Sequence, residues 1–83
     1  MTAPAPVPFS VSDMVRVVRL DEPARYVSGT ASVLRQPAVG DEGSVVNVER
    51  GVVMVESVDA QGRTVWLADF FAGELELVSR RSG

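Results

Sequence analysis

The sequence predicts a small all-β domain, a five-stranded barrel, and three observations predict it. Valine dominates an apolar fraction of 46%, and its branched side chain suits a pleated, half-buried surface. Apolar and polar residues alternate with a period of two in several short runs. Glycines at Gly40, Gly43, Gly51 and Gly62 punctuate those runs at the spacing of tight turns.

The elements follow in order. Residues 1–8 carry prolines at three alternate positions, Pro4, Pro6 and Pro8, which removes backbone donors and favours an extended, flexible arm. The barrel is expected over residues 9–79. Met14 to Leu20 alternates as a first strand, with Val15 and Val17 inward and Arg16 outward. Residues 21–38 form a long excursion that carries Pro23, Gly29 and Pro37, with a short helical turn conceivable over Ser28 to Leu34. Gly40 and Gly43 bracket two acids and can supply the positive φ of a tight turn.

Ser44 to Arg50 reads as the second strand and Val52 to Val58 as the third, joined at Gly51 as a hairpin. Asp59 to Gly62, with Asp first and Gly last, is a favoured turn. Arg63 to Ala68 is the fourth strand. Alternation puts Val65 and Leu67 on one side, taken as inward, and Trp66 on the outer face. Asp69 to Glu74 suits one turn of 3₁₀ helix. Leu75 to Val78 is a short fifth strand, and residues 80–83 are a polar, frayed tail.

The composition excludes much chemistry. No Cys and no His are present, so thiolate nucleophiles, disulfides, Cys/His zinc sites and the usual neutral-pH base are all missing. All eight basic residues are Arg, which removes Schiff-base and P-loop lysines. The chain is therefore read as no enzyme and as needing no cofactor or metal. Its net charge of −3 disfavours nucleic acid as a partner. No apolar run is long enough to span a bilayer, and no secretory pattern opens the chain, so a soluble, cytoplasmic protein is expected.

Several residues remain as candidates. Asp41 and Glu42 read as a solvated turn pair rather than an acid–base dyad, and Asp59 as a turn former. Arg16, Arg19, Arg25 and Arg35 could meet an acidic partner or RNA phosphates, or could form ordinary surface ion pairs. Trp66 on the outer face is either an interface anchor or a cross-strand neighbour of Met54 and Thr64, packed beneath the long loop. Tyr26 carries the same ambiguity. Of Phe70 and Phe71, one is expected to cap the barrel and the other to be partly exposed. Arg25, Tyr26, Trp66, Phe70 and Phe71 thus form the candidate binding set.

The element order, with its long first loop and a 3₁₀ turn before the last strand, resembles that of SH3-like barrels. Val39-Gly40-x-x-Gly43-x-Val45 before a hairpin resembles the KOW-type signature. Over Asp13 to Val78 the layout is similar to a bacterial family of small stand-alone SH3-like proteins with no assigned activity. The pieces are Asp13-x-Val15, Val45-Val46-x-Val48, Val53-x-Val55-Glu56 and Val58-Asp59-x-x-Gly62-Arg63-Thr64. Phe9-x-Val11-x-Asp13-x-Val15-Arg16-Val17 with Ala24-Arg25-Tyr26-Val27-x-Gly29 is similar to the SH3-like domain of the nitrile hydratase β subunit, without that family's His-Thr-Arg segment. That resemblance implies a subunit-contact role and carries no metal ligand.

Three functions follow as expectations. The first is a non-catalytic protein-binding module, in its narrowest form an immunity or antitoxin-like partner protein. The second is an accessory subunit or chaperone of a nitrile hydratase-like enzyme. The third is RNA or ribosome binding of KOW type. A monomer is compatible with all of them, and so is a homodimer paired through edge strands.

Overall fold

In a computed structural model, residues 7–21 and 35–80 are described. They form five antiparallel strands and one 3₁₀ turn: β1 (Met14–Val17), β2 (Glu42–Glu49), β3 (Val52–Val58), β4 (Thr64–Phe71), the turn Ala72–Glu74 and β5 (Leu75–Ser79). All five strands lie in one sheet, in the order β4-β3-β2-β1-β5. No helix among the described residues is long and apolar enough to cross a membrane. Residues 1–6, the stretch expected to hold a helical turn over Ser28 to Leu34, and residues 81–83 lie outside the described residues.

The turns follow from backbone chemistry. Glu49 pairs with Val52 across a two-residue link in which both Arg50 (φ 53°) and Gly51 (φ 80°) take positive φ. Two positive φ values give the tight hairpin whose twist matches its strands. At the next turn Asp59 Oδ1 accepts the N–H groups of Gln61 and Arg63, and the Gly62 N–H donates to the Asp59 carbonyl. Asp59 is a turn former there, as the sequence implies.

The glycine-bracketed turn needs a correction. Gly40 does take a positive φ, but Gly43 sits inside β2 and does not. A Cβ on Gly43 would stand 2.5 Å from the Glu56 carbonyl oxygen and 2.8 Å from a Val55 methyl. Glycine is required at Gly43 by the close approach of β3, not by turn geometry.

Other strand limits differ as well, and β2 begins at Glu42, two residues before the expected Ser44. β1 stops at Val17 because the N–H groups of Val18 and Arg19 leave the ladder and donate to the Glu74 carbonyl. β4 runs on to Phe71, three residues beyond the expected end, because Asp69, Phe70 and Phe71 continue pairing with Met54, Val53 and Val52.

One core serves all five strands. It gathers Phe9, Val15 and Val17, Val45, Val53 and Val55, Trp66, Ala68 and Phe70, and Leu75. The inward placement of Val15, Val17, Val53 and Val55 agrees with alternation. The face expected for β4 is inverted. Trp66 (0% exposed), Ala68 and Phe70 point inward, while Val65 and Leu67 are only half-buried. The register explains this: Trp66, Ala68 and Phe70 stand opposite Ser57, Val55 and Val53, the buried face of β3. Residues directly opposite in an antiparallel pair share a face. Inside, the Trp66 and Phe70 rings meet edge-to-face with centroids 5.5 Å apart, a favoured aromatic geometry.

Candidate functional site

The five candidate residues separate. Trp66 and Phe70 are core residues and present nothing to a partner. Arg25 and Tyr26 lie outside the described residues, and with them the question of a groove shared by Tyr26 and Trp66. Phe71 is 58% exposed on the outer face. Phe70 inside and Phe71 outside is the division expected of that pair.

Trp66 is held by a group that the sequence reading placed in solvent. Asp41 does not behave as a solvated turn residue. Its Oδ2 accepts the Trp66 indole N–H at 2.9 Å and the Ala38 N–H at 3.0 Å. Arg35 forks onto both carboxylate oxygens at 2.6 and 3.1 Å. The hydrogen bonds from Arg35 hold the Asp41 carboxyl below its ordinary value, helped by Ala38 and Trp66, while partial burial pushes the other way. Glu42 points elsewhere, to Arg16. The two neighbouring carboxylates therefore turn to different partners.

Two further acids are buried, and the sequence reading missed both. Glu74 is 0% exposed; Oε1 accepts the Phe71 N–H and Oε2 the Asp21 N–H, both at 2.8 Å. It ties the 3₁₀ turn to the chain leaving β1. Asp13 accepts the Ser10 N–H at 2.9 Å and closes the turn before β1. Both carboxylates meet backbone donors, as buried polar groups must. Among the described residues, no three acids converge to hold a metal.

What remains is the outer face of β2, β3 and β4. Pairing aligns three rungs across it: Glu49–Val52–Phe71, Asn47–Met54–Asp69 and Ser44–Glu56–Leu67. Phe71, Asn47, Glu49 and Asp69 are exposed, and the rest are half-buried. Asn47, Glu49, Arg50, Val52, Met54 and Asp69 line an open groove of about 380 Å³ beside Phe71. Strands 4.7–4.9 Å apart bring the side chains of one rung into contact range. An exposed aromatic side chain, an adjoining groove and several carboxylates thus share this face.

Several of the described Arg residues are engaged by carboxylates. Arg16 bridges Glu42 and Glu76 at 2.9 and 2.6 Å, Arg19 meets Asp21, and Arg63 meets Asp59. The hydrogen bonds they donate, Arg16 to Glu42 and Glu76, Arg19 to Asp21 and Arg35 to Asp41, raise all three above the ordinary guanidinium value. No protein-family model, curated protein or solved structure matches the chain.

Proposed function

We propose that the chain is a non-catalytic protein-binding module built on an SH3-like barrel, and that the outer face of β2–β3–β4 is its binding surface. The observation that carries the reading is Phe71, a large aromatic side chain 58% exposed beside an open groove. Exposed aromatic residues next to a groove are typical anchors of protein interfaces.

The barrel reading has its own support. The order of elements, with a long first connection, a two-residue hairpin, a tight turn and a 3₁₀ turn before the last strand, resembles that of SH3-like barrels and supports this reading. β4 stands at one end of the strand order, yet Trp66 on it bonds to Asp41 at the entrance to β2. The Arg35 N–H reaches the Val65 carbonyl on the same strand. These links draw the segment ahead of β2 over β4 and favour a sheet curled upon itself.

The RNA reading is the weaker one. It needs guanidinium groups free to meet phosphates, and Arg16, Arg19, Arg35 and Arg63 are engaged by carboxylates.

The test compares wild type with Phe71→Ser as bait in quantitative capture from extracts of the source cell. The expected result is a protein enriched by wild type and lost with Phe71→Ser, with both baits showing the same thermal midpoint. Capture unaffected by the substitution would overturn the assignment of this face. Enrichment of RNA that falls steeply with salt would replace the reading with the nucleic-acid one.

A further inference from the structure

Resting on that reading, we infer that the Arg50 guanidinium, at the tip of the β2–β3 hairpin, is the recognition point for a carboxylate of the partner: an Asp or Glu side chain next to a bulky apolar one.

Two independent observations meet at this residue. The first is charge. Among the described arginines, Arg16, Arg19, Arg35 and Arg63 each meet a carboxylate. Arg80 donates to the Pro8 carbonyl, with Asp13 at 3.9 Å. Arg50 is exposed, and among the described residues its guanidinium has no hydrogen bond or ion pair, its neighbour Glu49 included. A guanidinium holds its N–H donors in a planar fork that fits one carboxylate.

The second observation is the backbone. Arg50 and Gly51 are the two central residues of the hairpin, and Arg50 takes a φ of 53°. Gly, Asn or Asp ordinarily fill that position, because the Cβ of other L-residues is crowded there. Asn at position 50 would give the Asn-Gly pair that favours this turn most strongly. Arginine makes the turn less stable and leaves its fork in solvent. Strain of this kind is kept where a side chain has a ligand to meet.

The location joins the two. Arg50 lines the open groove together with Val52 and Met54. Val52 stands opposite Phe71, which is 58% exposed. Arginine and aromatic residues are the commonest dominant contacts of protein interfaces. A carboxylate seated on Arg50 leaves the adjoining apolar side chain of the partner over Val52 and Phe71. The charge pair sets orientation and on-rate, and the covered apolar groups add affinity. Nucleic acid is a poorer occupant, since Glu49 beside the fork and the net charge of −3 oppose a run of phosphates.

The test pans random peptides of about twelve residues, the length of an extended binding segment, displayed on phage. The baits are wild type, Arg50→Asn and Arg50→Glu. Wild type is expected to enrich peptides with Asp or Glu beside a bulky apolar residue. Arg50→Glu should turn that position to Lys or Arg, and Arg50→Asn should show no charge preference. A fluorescein-labelled peptide chosen by wild type should bind wild type at least about tenfold more tightly than Arg50→Asn, a gap that narrows with added salt. Its amide shifts on the ¹⁵N-labelled chain should centre on 47–54 and 69–71. Arg50→Asn should also raise the thermal midpoint by about 2–6 °C as the turn relaxes.

Peptides without an acid, or the same peptides from wild type and Arg50→Glu, overturn the assignment of Arg50 and leave the protein-binding reading intact. No enriched peptide, or shifts on another surface, overturn it as well. A midpoint unchanged or lowered in Arg50→Asn removes the strain on which the inference rests. RNA bound by wild type and released by Arg50→Asn would replace the carboxylate with phosphate. The capture experiment with Phe71→Ser judges the broader reading separately.

Discussion

Replacing Asp41 with Ala should cost more stability than any other single change in the turn that precedes β2. The Trp66 ring is fully buried, and its indole N–H has Asp41 Oδ2 as acceptor at 2.9 Å. Removing the carboxylate leaves that donor without its partner. An orphaned buried donor costs about 1–3 kcal/mol. The Arg35 fork adds little, because the guanidinium is half exposed and water replaces its acceptor. At about 4–8 °C per kcal/mol for a domain of this size, a cost of about 2 kcal/mol lowers the midpoint by about 8–16 °C. The assay is thermal and urea unfolding followed by circular dichroism, with an unchanged urea slope showing that the denatured state is not altered. Trp66→Phe removes the donor and completes a double-mutant cycle, in which Asp41→Ala should cost clearly less. Equal cost in both backgrounds would refute the reasoning, and so would a midpoint shift below about 2 °C.

Further outcomes follow from other contacts. Gly43→Ala should destabilise by about 1–3 kcal/mol, because the new methyl meets the Glu56 carbonyl; urea unfolding reads it. Glu74→Gln should cost a similar amount, about 1–3 kcal/mol, since its amide NH₂ must face either the Phe71 or the Asp21 N–H; the same assay applies. Phe71→Ser should change stability by less than about 1 kcal/mol, the scale of one cross-strand pair, so its binding defect is separable from unfolding. Acid should weaken the fold through Asp41 and Asp59, both held below their ordinary value, the latter by the Arg63 backbone N–H. A depressed folded-state value means stability present above the unfolded value, about 3.9, and lost as pH falls through the folded one. The drop in midpoint below about pH 4 should be shallower in Asp41→Asn and shallower again with Asp59→Asn added.

Much of the sheet was legible because it rests on local rules. The third strand, Val52 to Val58, matches the β3 limits, since Gly51 and Asp59 bound it and its alternation is clean. Val15 and Val17 were legible for the same reason. Trp66 was not. Both faces of β4 carry apolar residues, so alternation alone cannot choose between Val65 with Leu67 and Trp66 with Phe70. Pairing with β3 decides it, together with a register shift between Ser57 and Val58. The role of Gly43 was misread because a close strand approach and a positive-φ turn both require glycine, and sequence does not separate the two. Asp41 and Glu74 escaped because one donor to each lies far along the chain. Trp66 is 25 residues from Asp41 and Asp21 is 53 from Glu74. Phe71 was legible only as half of an unresolved choice with Phe70; its place on the outer rungs follows from pairing with Val52.

The most direct test of the account places a photo-crosslinking benzoyl-phenylalanine at Phe71 and, in a separate chain, at Glu76, and irradiates both in the source cell. The two positions lie on opposite halves of the outer face, and the substitution at Phe71 keeps an aromatic ring. The account predicts one discrete protein adduct from position 71 and none from position 76. No adduct at 71, or the same adduct at both positions, would contradict it.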